Sequence, residues 1–514
     1  MRDELSDIKV FRATCPRNCY DSCAMLVTVA GGIVRQVDGD PANPHTAGRL
    51  CSKGYSYVQR TYATNRIRHP MVQTVRGSGN WRRITWDEAL DRIARKLIDV
   101  RRRHGSLLPV CLYKGTGNVG VLHNAPEAMF AAMGPHTETV FVMCWQAGND
   151  AQRFDFGDNM TSDPGEMLKA RTLLLWGVNP AWTAVHQMAR IMQARDSGTR
   201  VITIDPIRTA TASRSDRHLG LRPGSDGALA LGMARCLLDE ELYDEAFLNE
   251  HVTGWTEFRT YLRDQITVDW AARETGLPAA AIRETAVAYA TARPAMIWVG
   301  FGMQRHTNAL QTVRAIDALA AMTGQIGLPG TGVQYGQLAN WIFGDHLRSY
   351  KGGAGQPYSG PGAIDGNRTF PNGCIGEAMP AVSDPPLEVL WVACANPVAQ
   401  EPDSHAVRRA LSGLDMVVVV DQFMTATAEA ADIVLPATTF LEHADLHTSY
   451  WHHHVSITER AIAPLYEAKS DLAIAWALSR KLNQLSPGFT TFPATRIIRF
   501  WITIASPMVE ISGA

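Results

Sequence analysis

The sequence has no strong charge of either sign: 49 Lys and Arg face 50 Asp and Glu, for a formal net charge of -1. No run of five like charges breaks that balance. The chain therefore carries no electrostatic footprint for nucleic acid or an anionic membrane surface. No uninterrupted apolar stretch reaches ~18 residues, so no direct membrane span is expected. Met1 to Thr14 mixes charges and lacks an apolar export region or paired arginines, which predicts a cytoplasmic protein. Low-complexity repeats are absent. Cysteine is present in odd number, nine in all, so in a large unsecreted chain a disulfide framework is not expected.

What is there is a chain of 514 residues with 46% hydrophobic content, enough to bury several cores. At roughly 150 residues per domain the length suggests three or four of them. Thr85-Trp86-Asp87-Glu88 is a capping box, and Leu90, Ile93, Ala94 and Leu97 follow at helical spacing with Gly105 as the stop. Val110 to Tyr113 reads as a strand leading into the glycine loop Gly115-Thr116-Gly117-Asn118. Thr172 to Trp176 reads as another strand, followed by a helix through Met188 and Met192 and a strand at Val201 to Ile204. This alternation is the grammar of a parallel sheet covered by helices. Gly352 to Gly376, rich in Gly, Pro, Ser and Asn and without periodicity, reads as a long loop.

A weak internal repeat adds to this. Leu173 to Trp176 leads into Gly177-Val178-Asn179-Pro180 and then, past a helix, Val201 to Asp205. Val389 to Ala393 leads into Cys394-Ala395-Asn396-Pro397 and then, past a helix, Val417 to Asp421. The Asn-to-Asp spacing is 26 in one copy and 25 in the other. Open parallel sheets bind nucleotides at the carboxyl ends of their strands, where such an acid is placed to accept hydrogen bonds. Two ordinary α/β units without a ligand would carry the same pattern.

Cys15, Cys19, Cys23 and Cys51 crowd the N-terminus. Three close thiolates and one distant one suit a cubane cluster, each of whose irons needs one sulfur ligand. A four-cysteine zinc site is the rival, but zinc more often uses two paired knuckles, and here the fourth cysteine stands alone. Lys53, in Cys51-Ser52-Lys53-Gly54, is either a cation tuning that cluster or a solvated surface residue.

These segments together carry a resemblance. Cys15-Pro16-Arg17-Asn18-Cys19-Tyr20-Asp21-Ser22-Cys23, Cys51-Ser52-Lys53-Gly54, Trp176 to Pro180, Ile204-Asp205-Pro206, Arg222 to Ala228, Gly302 to His306 and Thr427 to Pro436 resemble the molybdopterin oxidoreductases of the dimethyl sulfoxide reductase and formate dehydrogenase superfamily. The resemblance covers about residues 11 to 485. It implies a [4Fe-4S] cluster and a bis(molybdopterin guanine dinucleotide) cofactor holding molybdenum or tungsten. By that resemblance Lys53 lies between cluster and pterin; Asn179, Asp205, Gly224 and Asp226 hold one guanine nucleotide; and Asn396 and Asp421 serve the other. Arg208 and Arg305 are candidates for diphosphate contact or are surface cations. Cys144 stands where the family supplies a protein ligand to the metal, and a soft thiolate suits it; without that resemblance it reads as a small buried hydrophobe, as most free cysteines do. Formate dehydrogenases place a histidine directly after that ligand, and here Trp145 stands instead, which weakens formate as a substrate.

The expected fold is α/β: an N-terminal iron–sulfur domain plus two Rossmann-like parallel-sheet domains, the first interrupted by the second. The expected boundaries are 1–64 for the cluster domain, 65–144 with 336–430 for the first α/β domain, and 145–335 for the second. Residues 431–490 read as a helical or mixed return segment, and 491–514 as an atypical apolar tail. Members typically continue into a β-barrel over the pterins, which this sequence is expected to lack. The expected activity is two-electron chemistry on a small-molecule substrate, with electrons passing through the cluster to a ferredoxin-like or separate iron–sulfur partner. The rivals are a non-catalytic electron-transfer or structural subunit, a truncated inactive homologue, and a non-redox hydratase or transhydroxylase on the same scaffold.

Overall fold

The computed structural model describes residues 7–159, 161–337 and 356–492. Apart from its first two residues, the tail expected from 491 lies outside them, as do residues 352–355 of the expected loop. Among the described residues no helix is long and apolar enough to cross a membrane.

The N-terminal region is a three-stranded antiparallel sheet, Ile8–Thr14, Ala24–Ala30 and Ile33–Gly39, in chain order. Met25, Val27 and Val29 are buried while their neighbours are half-exposed, the period of a sheet with one face on a core. Gly31 and Gly32 both take positive φ, as a two-residue hairpin turn requires. The turn at the other end, between Thr14 and Ala24, holds three of the cysteines.

Five parallel strands form the second sheet, in the order Arg217–Leu219, Arg200–Ile204, Thr172–Trp176, Ala295–Val299, Gly332–Gln334. Thr172–Trp176 and Ala295–Val299 are buried along their whole length, as strands covered on both faces must be. The winding reverses between these two strands, which leaves a crevice outside their carboxyl ends.

The third sheet has nine strands. Its six parallel members run Asn367–Pro371, His136–Val140, Leu107–Lys114, Val389–Ala393, Met416–Asp421, Ile433–Pro436. Antiparallel strands close both edges: Ala363–Ile364 on one side, Met71–Gln73 and Trp81–Arg83 on the other. Here the winding reverses between Leu107–Lys114 and Val389–Ala393. This sheet is thus built from two stretches of chain, and the five-stranded unit is inserted between them. Ile433–Pro436 belongs to it although the sequence ends that domain at 430, because its four residues are fully buried and pair with Val418–Asp421.

The helix Trp86–His104 starts on a complete capping box between Thr85 and Glu88 and stops at left-handed Gly105. Its stripe Leu90, Ile93, Ala94, Leu97 packs on the nine-stranded sheet with Ile474, Leu478 and Leu482 of Asp471–Leu485.

The reading of Gly352 to Gly376 as a loop is corrected. Its described part holds the hairpin Ala363–Ile364 and Asn367–Pro371, then the helix Ile375–Ala381. Asp365 and Gly366, both at positive φ, make the two-residue turn. Arg368 is buried there, donating to Leu108, Asp384 and Pro385 carbonyls, which ties a polar-looking strand into the sheet.

Candidate functional site

Cys15, Cys19 and Cys23 lie on the hairpin turn, and Cys51 caps the short helix Ser52–Tyr55. Cys15 and Cys23 are buried, Cys19 and Cys51 half-buried. Burial pushes the Cys19 thiol up to about 12, helped by the charges of Asp21 and Cys15. Burial also raises Cys15 and Cys23, and Cys51 adds to both shifts. The four thiols are therefore close enough to repel one another as anions. A cationic iron center among them would reverse that repulsion, so the donor set suits the cluster that the sequence implies. Gly54 packs so tightly on Leu50 that a Cβ would sit 2.9 Å from the leucine Cβ, which keeps the turn around Cys51 compact. Lys53 is exposed on the first turn after Cys51.

An aromatic wall runs from this turn to Cys144. Tyr20 packs edge-on against Trp298 at 5.2 Å and contacts Phe301 and Tyr450. Its hydroxyl donates to the Tyr335 carbonyl at 3.2 Å. The Tyr335 hydroxyl in turn donates to the Trp145 carbonyl at 3.0 Å, and Trp145 stands edge-on to Tyr450 at 5.5 Å. Burial raises the Tyr450 phenol, and the charges of both Cys144 and Cys19 add to the shift, so Tyr450 is within electrostatic reach of both thiols. Cys144 itself is half-buried just before the helix Gln146–Phe156; burial raises its thiol and the Arg305 charge opposes this. Arg305, read from the sequence as a diphosphate contact or a surface cation, is exposed and close enough to act electrostatically on Cys144.

The two copies of the repeat fold alike. Asn179 accepts from the Thr211 hydroxyl at 2.7 Å, and Asn396 from the Thr427 hydroxyl at 2.7 Å. Each threonine oxygen also accepts a backbone N–H two residues past its asparagine, Ala181 at 3.1 Å and Val398 at 3.0 Å. Pro180 and Pro397 each open a one-turn helix. Asp205 accepts from Ile207 N–H, and Asp421 from Gln422 and Phe423 N–H. Burial raises the Asp421 carboxyl against those two donors.

At the five-stranded crevice, Gly300 donates to Trp176 and approaches Gly177 so closely that a Cβ would overlap its carbonyl. At the nine-stranded crevice, Gly115 donates to Ala393, and its Cβ would lie 2.6 Å from the Cys394 oxygen. Both crevices are thus floored by bare backbone, the construction that lets a phosphate-bearing ligand approach closely.

The remaining expected residues divide. Gly224 turns at φ +81° beside His306. Asp226 is 2% exposed and accepts from the Trp176 indole at 2.8 Å, so one of its oxygens is spent inside the fold. Arg208 is exposed past the Asp205 turn. His136 is buried on the Gly134 carbonyl, and His452 packs 4.5 Å from His45 with its ring bonded to the Asp21 carbonyl. Tyr20, Tyr335 and Tyr450 escaped the sequence reading; only the adjacency of Tyr20 to Cys19 hinted at a role.

Comparison with known proteins bears on the family and the fold. Residues 8–63 match the molybdopterin oxidoreductase Fe4S4 domain, and residues 66–481 match the molybdopterin oxidoreductase family. The chain is 33% identical to the probable oxidoreductase YyaE of Bacillus subtilis over 92% of its own length and 69% of that protein. It is 30% identical to the probable dimethyl sulfoxide reductase chain YnfF of Escherichia coli, over 96% of this chain and 66% of the relative. Among solved structures, acetylene hydratase from Pelobacter acetylenicus superposes with a TM-score of 0.78 at 24% identity, covering 92% of this chain and 69% of that one, a likeness of fold. With both regions matched and the two wound sheets in place, the chain belongs to the molybdopterin oxidoreductase family, in the superfamily of the dimethyl sulfoxide reductases and formate dehydrogenases.

Proposed function

We propose that this chain carries out two-electron redox chemistry on a small-molecule substrate at molybdenum or tungsten held by two pterin guanine dinucleotides. In this reading electrons pass through a [4Fe-4S] cluster to a ferredoxin-like or separate iron–sulfur partner. The observation that carries the reading is the aromatic wall joining the four-cysteine turn to Cys144, flanked by two crevices of matching construction. Once bound, the metal–pterin group supplies the redox chemistry itself.

The chain's own residues hold and shield that group. Cys15, Cys19, Cys23 and Cys51 are the cluster ligands, and exposed Lys53 neutralises charge beside them. Cys144 is the protein ligand to the metal, and Arg305 offsets negative charge around it. Tyr20, Trp145, Phe301, Tyr335 and Tyr450 exclude water from one side of Cys144, which strengthens electrostatic interactions there. Asn179, Asp205, Gly224 and Asp226, with Arg208 at the rim, serve one nucleotide; Asn396 and Asp421 serve the other. In each copy the asparagine oxygen is taken by its threonine, so the amide N–H groups and the strand-end carboxylates are what remains to meet a guanine edge.

Elemental mass spectrometry on anaerobically purified protein tests the reading. Four irons with near-stoichiometric molybdenum or tungsten are expected, at about the ligand count of one cubane. Iron without either metal would leave an electron carrier and end the catalytic reading.

A further inference from the structure

Outside the residues just assigned, one cluster of reactive side chains stands at the reversal point of the nine-stranded sheet. Cys394 Sγ lies 2.8 Å from His123 Nε2. On the far side of the ring, His123 Nδ1 lies 3.0 Å from Asp471 Oδ2. The carboxylate accepts the Nδ1 proton and so leaves Nε2 free to accept one from the thiol. A different ring nitrogen faces each neighbour. That is the arrangement of a nucleophile, its base and the group that orients the base, not of three ligands around one ion.

Three further observations set this cluster apart from chance contact. Cys394 occupies φ +59°, a conformation L-residues avoid, while the matching position of the other repeat is Gly177 at φ +63°. A strained non-glycine residue where its counterpart is glycine points to a use for the side chain. Gly117, at φ +64°, leaves room for the imidazole: a side chain there would collide with His123. Finally, burial works against a charged His123, yet the charges of Cys394 and Asp471 outweigh it and hold the imidazole well above its ordinary range, as a strong base requires.

We propose that Cys394, His123 and Asp471 form a nucleophilic thiol site that reacts with low-molecular-weight disulfides. His123 takes the thiol proton as Cys394 Sγ attacks one sulfur of the disulfide. The S–S bond breaks, the departing sulfur takes the proton back from His123, and one free thiol is released. Cys394 is oxidised to a mixed disulfide, and the departing half of the attacked disulfide is reduced to a thiol. Cys394 is half-buried, with His123 16% and Asp471 9% exposed at the side chain, so the thiol is partly open to solvent while its two partners are largely covered.

The test uses the purified full chain, iodoacetamide and glutathione disulfide, with peptide mass spectrometry to follow each cysteine. Exposed Cys374 serves as the internal reference. At pH 7 Cys394 is expected to alkylate faster than Cys374 by about tenfold or more, since an unassisted thiol is only a few per cent thiolate at that pH. It is also expected to gain a glutathione adduct. His123→Gln should bring the Cys394 rate down to that of Cys374, and Asp471→Asn should lower it by a smaller factor. Equal rates at Cys394 and Cys374 in the unsubstituted chain, or no labelling of Cys394 at all, overturn the proposal without recourse to any variant. So does a His123→Gln chain of normal iron content whose Cys394 rate is unchanged.

Discussion

At the carboxyl end of Thr172–Trp176 the chain turns through Gly177 at φ +63°; at the carboxyl end of Val389–Ala393 it turns through Cys394 at φ +59°. Around these turns the two units share an asparagine bonded to a threonine about thirty residues on, a proline opening the next helix, and a glycine from the neighbouring strand pressed against the turn. The occupant of the strained position differs. The backbone is therefore what both crevices have in common, and the side chain at the turn is where they diverge in chemistry.

The close glycines should give the largest effects. Gly300→Ala would drive a methyl into the Gly177 carbonyl, and a loss of about 3 kcal/mol, or no folded protein, is expected. Gly115→Ala, with 2.6 Å to the Cys394 oxygen, should cost about 2 kcal/mol. Denaturant unfolding midpoints measure both, and tolerance of both alanines would show that the crevices do not share a floor. Next come the threonines. Thr211→Val strands both the Asn179 oxygen and the Ala181 N–H, at a cost of about 1–2 kcal/mol. Thr427→Val strands the Val398 N–H but leaves the Asn396 oxygen its bond from the residue 427 N–H, so it should cost less, about 1 kcal/mol. A larger loss at Thr427 than at Thr211 would break the comparison. At the diverging position, Cys394→Gly should exceed Cys394→Ala in stability by about 1 kcal/mol, because glycine alone adopts positive φ without strain. No difference would remove strain from the account.

The smallest expected effect is in pH. The charges of Cys394 and Asp471 hold His123 well above the ordinary imidazole range, so the stability it lends is fully present below about pH 6.5 and fades as pH rises through its raised folded value. The unfolding midpoint of the unsubstituted chain should therefore fall relative to His123→Gln as the pH rises above about 6.5. A constant gap across that range would contradict the arrangement.

The repeat was legible because Leu173 to Trp176 and Val389 to Ala393 are short apolar runs ending at the same Asn-Pro pair, and buried parallel strands leave that trace. The helix Trp86–His104 was legible to both ends, since capping box and terminal glycine are local codes. Asn367–Pro371 was not: it is a polar strand near the sheet edge whose burial depends on Arg368 meeting carbonyls from Leu108, Asp384 and Pro385. The Asp365-Gly366 turn was a readable signal lost in glycine-rich surroundings. The wall of Tyr20, Tyr335 and Tyr450 and the pairing of Cys394 with His123 join residues hundreds of positions apart, and no local pattern announces them.

The nine-stranded sheet also sets a schedule for the protein's synthesis. Its central pairing joins Val110 to Val389, whereas every strand of the five-stranded sheet lies between Thr172 and Gln334. On the ribosome the inserted unit can therefore close while Leu107–Lys114, almost entirely buried in the finished protein, still waits for its partner. At ~5–20 residues per second that wait lasts roughly 15 to 55 seconds. Through it an apolar strand edge is open to any other nascent chain. Yield in the cell should then depend on the chaperones that meet residues 107–114 during that interval, and slower translation beyond Gln334 would lengthen the exposure.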